Sequence, residues 1–245
     1  MPALAAAING GYQERLTSIS NPLVLYDWGD TNCYSGSGTT FSNLGSGGTT
    51  YDGDLVGGVS YNSSFGGIMT TDGSNDHIQV DNGIQLLRGG GTMMVWIRTH
   101  QAESRPFGTA SDNRVDRFCN FGGTDGVDRA ETDQNCNNWF ATNGANAGGT
   151  YTNLWYCVMA RCTGNTVTWL EMGTAQDTGS YGRDGCSGPN TNIMHANVTM
   201  ARFGERTNYD SHFDGDYGVM AWWNSALSIH ECQEAFGAYR HRYGA

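Results

Sequence analysis

The sequence predicts an all-β domain closed by one short C-terminal helix, and three observations carry that prediction. The 245 residues include 36 glycines, 12 tyrosines and 7 tryptophans, set among short alternating runs, the pattern of many strands joined by tight turns. No Pro/Ser linker and no charge block divides the chain, which favours one large domain over two small ones. Charged residues are 15% of the total, below the usual share of about a quarter, so Gly, Ser, Thr and Asn must cover much of the surface.

Residues 1–20, MPALAAAINGGYQERLTSIS, hold a short apolar run from Ala3 to Ile8, but neither a basic n-region nor an h-region of signal-peptide length. They read as an N-terminal arm, or a partly ordered tail, ahead of a domain over 21–245. Further on, DGSND at Asp72 to Asp76 reads as a turn before a strand. In TMMVWIR, Met94 and Trp96 share one face while Met93, Val95 and Ile97 share the other. GVMAWW repeats this, with Met220 and Trp222 opposite Val219, Ala221 and Trp223. An antiparallel sheet commonly leaves one face wet, so both faces of these strands need a cover. Loops and the terminal helix would supply it, or neighbouring subunits of a symmetric homo-oligomer.

The closing stretch, Phe213 to Tyr243, is the most legible. Tyr217, Val219, Ala221 and Trp223 are expected on one face of a strand at period two, and Asn224 breaks it. Ser228 followed by Glu231 reads as a capping box, with Leu227 placed to pack on Cys232 as a staple. The helix is expected to run to about Tyr243 with a stripe of Phe236, Tyr239 and Tyr243, and Gly244 ends it.

Charge and cysteines bound the chemistry. There is no lysine, all 13 basic residues are arginine, and the net charge is −11, which argues against a nucleic-acid partner. The missing lysine also excludes Schiff-base chemistry and a P-loop, and no apolar run is long enough to span a bilayer. Cysteines at 33, 119, 136, 157, 162, 186 and 232 fit no zinc spacing. Cys119 with Cys136, and Cys162 with Cys186, flank loops they would staple; buried free thiols are an equal reading.

Several segments together resemble the laminin-G-like modules of the concanavalin A-like lectin/glucanase superfamily, found in many phage and marine-virus virion proteins. LVLYDWGDTNCYSGSGTTFSNLGSGG, Leu23 to Gly48, is similar to the family's first strand and its SYxGSGTTWxDLSGNG loop. TTDGSNDHIQV, GTMMVWIRT, NLWYCVMARCTGNTVTWLEMG and the closing N-x-A-L-S-x-x-E helix ending in RYG follow in family order. The resemblance covers most of 21–245 and implies a two-sheet antiparallel β-sandwich, a jelly roll of concanavalin A-like type. It is not specific for function, because one fold hosts many roles.

The glucanases of that superfamily carry two glutamates around an aspartate on one strand, and none of the seven glutamates here is so arranged. Glu171 has Leu170 and Met172 beside it and no second carboxylate at the separation that glycoside hydrolysis needs, so no enzymatic activity is expected. His77, His100, His195 and His212 read as surface or cap residues without obvious partners. In the pentraxin-like branch, acidic and amide ligands hold calcium, and Asp112 with Asn113, and Glu205, Asn208 and Asp210, occupy similar places. Arg114 and Arg206 beside them would weaken such a site, and ordinary turn chemistry is the competing reading. Trp139 and Phe140, with Asn137 and Asn138, form a candidate sugar site by stacking and amide donation; the alternative is that Trp139 anchors a loop. The resemblance points to a non-enzymatic virion structural protein, a capsid decoration at the virion surface assembled in the host cytoplasm. It would bind other virion proteins and host glycans. A free, calcium-dependent lectin is the alternative.

Overall fold

The structure, a computed structural model, describes residues 19, 22–80, 91–101, 153–159, 161, 202–204 and 212–244 with their side chains. It describes the backbone alone of 107–109, 117–121, 127–131, 140–141, 160, 162–163, 166–173, 181–183 and 201. The strands, in order, are β1 (Val24–Tyr26), β2 (Thr40–Phe41), β3 (Gly53–Val56), β4 (Ser60–Asn62), β5 (Ile68–Asp72), β6 (His77–Val80), β7 (Gly91–Thr99) and β8 (Phe107–Thr109). They continue as β9 (Arg117–Phe121), β10 (Val127–Glu131), β11 (Phe140–Ala141), β12 (Trp155–Thr163), β13 (Thr166–Gly173), β14 (Tyr181–Arg183), β15 (Ala201–Phe203) and β16 (Asp214–Trp223). One helix, α1 (Ile229–Tyr243), follows them.

The strands pair antiparallel in two sheets. One has the order β14-β13-β12-β7-β16-β5-β4, with β1 also beside β16; the other runs β11-β10-β9-β8-β15-β6-β3-β2. Between them lies a core to which the first sheet gives Tyr26, Met93, Val95, Ile97, Met220 and Trp222, and the second Phe41, Ile78, Val80 and Phe203. The expected two-sheet sandwich is therefore present.

The outer faces differ. On the second sheet, Asp54, Gln79 and Arg202 are cross-strand neighbours, each partly exposed, while Leu55, Ile78 and Phe203 point inward, the alternation of a sheet with one wet face. On the first sheet the outer face is also apolar, with Leu25, Met94, Trp96, Val219, Ala221 and Trp223 buried against Cys232, Ala235, Phe236, Tyr239 and Tyr243 of α1. The cover over this face is the terminal helix. Burying each large side chain there contributes about 2 kcal/mol.

Local chemistry fixes that helix as the sequence predicts. Glu231 N–H donates to Ser228 Oγ at 3.2 Å and Ser228 N–H to Glu231 Oε2 at 2.7 Å, completing the capping box. Gly244 ends the helix at φ 72°. Asp72 to Asp76 is the expected turn, in which Ser74 N–H donates to Asp72 Oδ1 at 2.8 Å.

The predicted face of β16 is corrected. Its pairing with β7 shifts register between Tyr217 and Met220, so Tyr217 joins Met220 and Trp222 in the inner core while Val219, Ala221 and Trp223 face the helix. The same shift hands one flank of β16 from β5 to β1. Gly218 sits at this bulge because a Cβ there would overlap the Tyr243 hydroxyl. Backbone groups removed from the ladder find side-chain partners: Val219 N–H donates to Tyr243 Oη at 2.9 Å, and Trp28 Nε1 donates to the Gly218 carbonyl at 2.8 Å.

Cys33, Cys157 and Cys232 are buried free thiols, and burial pushes the Cys232 thiol up to about 11. The proposed pairs Cys119 with Cys136 and Cys162 with Cys186 involve side chains outside the described residues.

Candidate functional site

Beyond the C-terminal end of α1, the outer face of the first sheet changes character. Thr70, Asp216, Arg98 and Trp155 form one cross-strand row on β5, β16, β7 and β12, and directly opposed residues share a face. Trp155 belongs to the helix-side cluster with Trp96, so the row continues that face where the helix stops.

Asp216 is at the centre and is 1% exposed. Its Oδ1 accepts from Thr70 Oγ1 at 2.6 Å; its Oδ2 lies 2.6 Å from both Arg98 Nε and Nη2 and 2.9 Å from His100 Nε2. The other nitrogen of that ring, Nδ1, is 3.1 Å from Asp214 Oδ1. Three polar side chains, Thr70, Arg98 and His100, thus enclose one buried carboxylate, which is the compensation a buried charge requires. His100 has two carboxylate partners and His77 is 5% exposed, which corrects the reading of both as unpartnered surface residues. Asp72, exposed, is paired in register with Asp214.

Phe65 completes the patch. The Arg98 guanidinium lies 5.1 Å from its ring centroid and 5.3 Å from that of Trp155, a cation–π geometry on both. The ring is edge-on to Trp155 at 5.4 Å, yet Phe65 stays 36% exposed. Its backbone is left-handed, at φ 54° and ψ 23°, which a bulky L-residue adopts only under constraint.

The constraint is Arg242 on the last turn of α1. Its Nε donates to the Phe65 carbonyl at 3.0 Å and Nη2 to the Gly66 carbonyl at 2.6 Å, while Nη1 donates to both carboxylate oxygens of Asp27 at 3.0 and 2.9 Å. The side chains of Arg242 and Asp27 are 5% and 1% exposed. Burial pushes the Asp27 carboxyl up, opposed by the Arg242 charge, its hydrogen bond and the Gly29 N–H, and both carboxylate oxygens share the one guanidinium nitrogen. One buried cation therefore ties the helix end, the Asp27 turn and the Phe65 turn together.

The site residues expected from sequence have no described side chains. Asn137, Asn138, Trp139, Asp112, Asn113, Glu205, Asn208 and Asp210 fall outside the described residues; Phe140 begins β11, paired through Ala130 with β10, and its side chain is not described. No group of three or more metal-ligating side chains occurs among the described residues. The sequence holds two signals of the Phe65 patch. Arg98 and His100, and Asp214 and Asp216, are polar residues two apart at the ends of strands otherwise apolar on both faces.

No family model matches the chain, nor does any curated protein sequence. Solved structures do. Domain 4 of AbnA, a GH43 extracellular arabinanase from Geobacillus stearothermophilus solved with arabinotriose, superposes with TM-score 0.58 at 13% identity, over 88% of this chain and 98% of that one. The botulinum neurotoxin serotype D binding domain gives 0.58 at 12% identity, over 91% and 52%. Trypanosoma rangeli sialidase, solved with sialic acid, gives 0.60 at 9% identity, over 96% and 38%. The chain thus spans one whole domain of the first and about half or less of the other two. At these identities the likeness is one of fold.

Proposed function

We propose that this chain is a non-enzymatic recognition module that binds a glycan at the Phe65 patch. The observation that carries the reading is Phe65 itself, a partly exposed aromatic ring held in a strained backbone conformation beside a hydrogen-bonded Arg, Asp, His and Thr cluster. Strain of this kind persists where surrounding structure enforces it and concentrates at functional sites. A ring face takes the apolar side of a sugar, and carboxylate, imidazole and hydroxyl groups take its hydroxyls. Exposed Ser60, Asn62 and Ser64 extend the polar rim. That structural neighbours include a domain solved with arabinotriose and a toxin binding domain agrees with this reading.

The bonding of Asp216 supports the non-enzymatic part of this reading. Hydrolysing a glycoside takes one carboxyl that gives a proton and a second carboxylate, whereas both Asp216 oxygens already accept hydrogen bonds from Thr70, Arg98 and His100. Binding of an oligosaccharide array by the full chain, followed by calorimetry on the best ligand, tests the proposal. Phe65→Ala should weaken binding about tenfold with the fold unchanged by circular dichroism, and Trp139→Ala reports on the second, sequence-derived candidate. An array without a ligand, or Phe65→Ala binding as well as the parent, overturns it.

The placement on a virion surface, with capsid proteins as partners and a homo-oligomeric state, rests on the laminin-G-like resemblance of Leu23 to Gly48 and the segments after it. Removing residues 1–20 should then abolish attachment to particles while leaving glycan binding intact. Attachment that survives the deletion refutes the arm's role.

A further inference from the structure

We infer that the ligand of this patch is an uncharged glycan and that its carboxylates turn acidic sugars away; the inference rests on the glycan reading above. Among the described residues, one guanidinium, Arg98, and one imidazole, His100, face three carboxylates: Asp72, Asp214 and Asp216. This described set is therefore negative in either charge state of His100.

The arrangement sharpens the count. Arg98 is the cation that would recognise an acidic sugar, but its Nε and Nη2 both bond Asp216 at 2.6 Å, and an incoming carboxylate would have to compete with a 1% exposed one already in place. Arg242, the other cation beneath Phe65, is held by Asp27 and two backbone carbonyls. The patch's most exposed charged groups are Asp214, 38% exposed at its side chain against 28% for His100 and 23% for Arg98, and exposed Asp72, paired to Asp214 across the strands. These accept hydrogen bonds from sugar hydroxyls, as a carboxylate accepts and never donates when ionised. Against a ligand carboxylate about 4 Å away each is worth about a fivefold loss in water and more where the patch is dry. The chain's net charge of −11 adds a longer-range repulsion that salt removes.

The test uses the full chain on an array that prints each neutral oligosaccharide beside its sialylated and uronate counterparts, then calorimetry at low and high salt on the best neutral ligand and its acidic partner. The neutral member should bind about tenfold or more tightly at low salt, the gap should shrink as salt rises, and Asp214→Asn should narrow it at low salt. An acidic member bound as tightly as its neutral partner overturns the inference while leaving the glycan reading standing. A preference that Asp214→Asn leaves unchanged also overturns it, because the exclusion then lies elsewhere. An array on which nothing binds removes the glycan reading and this inference together.

Discussion

Two parts of one sheet face behave differently although the same strands build both. Under α1, β7 presents Met94 and Trp96, β12 presents Cys157 and Met159, and β16 presents Val219, Ala221 and Trp223, all buried. One residue pair further along each strand, past the helix end, the same face carries Arg98 and His100, Trp155, and Asp216 and Asp214. The strands do not change; the cover does. Where the helix seals the face, burial rewards apolar side chains. Where it stops, side chains need polar partners, and the sheet brings together a carboxylate network beneath an exposed ring. The boundary is manned by Tyr243 and Arg242, the first with its ring centroid 4.5 Å from those of both Trp96 and Trp155, the second gripping the Phe65 turn.

Breaking that boundary should have the largest effect. Arg242→Ala strands the Asp27 carboxylate in a 1% exposed position and releases the Phe65 turn. A loss of about 3–5 kcal/mol, or about 10 °C in Tm for a chain of this size, should appear in thermal unfolding together with loss of glycan binding. The double variant Asp27→Asn with Arg242→Met should recover much of the stability but not the binding, because the carbonyls of Phe65 and Gly66 lose their donor. Recovery of both would show that the clamp is structural only.

The bulge offers a smaller and more local break. Gly218→Ala pushes a methyl into the Tyr243 hydroxyl and should cost about 1–3 kcal/mol. Tyr243→Phe leaves the buried Val219 N–H without its acceptor, a cost of similar size. Combined, the two should be less harmful than their sum, because the oxygen that blocks the added methyl is the one removed; strict additivity in denaturant titrations would place the Gly218 effect in the backbone instead.

How much of this was legible follows from which signals are local. The cap and the stop of α1 lie within seventeen residues, Ser228 to Gly244, and Ser228, Glu231 and Gly244 announce them. The two apolar faces of β7 were read correctly from alternation alone. Tyr217 was placed on the wrong face because alternation counts residues evenly, whereas the bulge inserts one; Gly218 was the only trace of it, and its reason, the Tyr243 hydroxyl, is 25 residues away. The Phe65 patch was harder still. Phe65, Arg98, Trp155 and Asp216 are separated by long stretches of chain and meet only because β16 lies between β5 and β7, an order no local pattern encodes. Polar residues two apart at strand ends marked where cover would cease, but not which strands would adjoin.

The smallest effect tests the sealed half from its far end. Ser228→Ala removes the oxygen that Glu231 N–H bonds and should cost about 1 kcal/mol at any pH at which the helix is folded. The reciprocal bond behaves otherwise. The Ser228 backbone N–H, and then the Ser228 side chain, hold the Glu231 carboxyl below the usual glutamate range. A carboxyl depressed in the folded state stabilises above its unfolded value, and that contribution disappears as pH falls through the depressed one. Glu231→Gln should therefore be less stable than the parent at neutral pH and converge with it in acid, whereas the Ser228→Ala gap should persist. Measured as Tm against pH, parallel curves for both variants would mean that the glutamate charge does nothing at this cap. Because Ser228 and Glu231 stand at the end of α1 opposite to Arg242, neither variant should alter glycan binding; if either does, the helix transmits strain to the Phe65 turn and the two halves of the face are coupled.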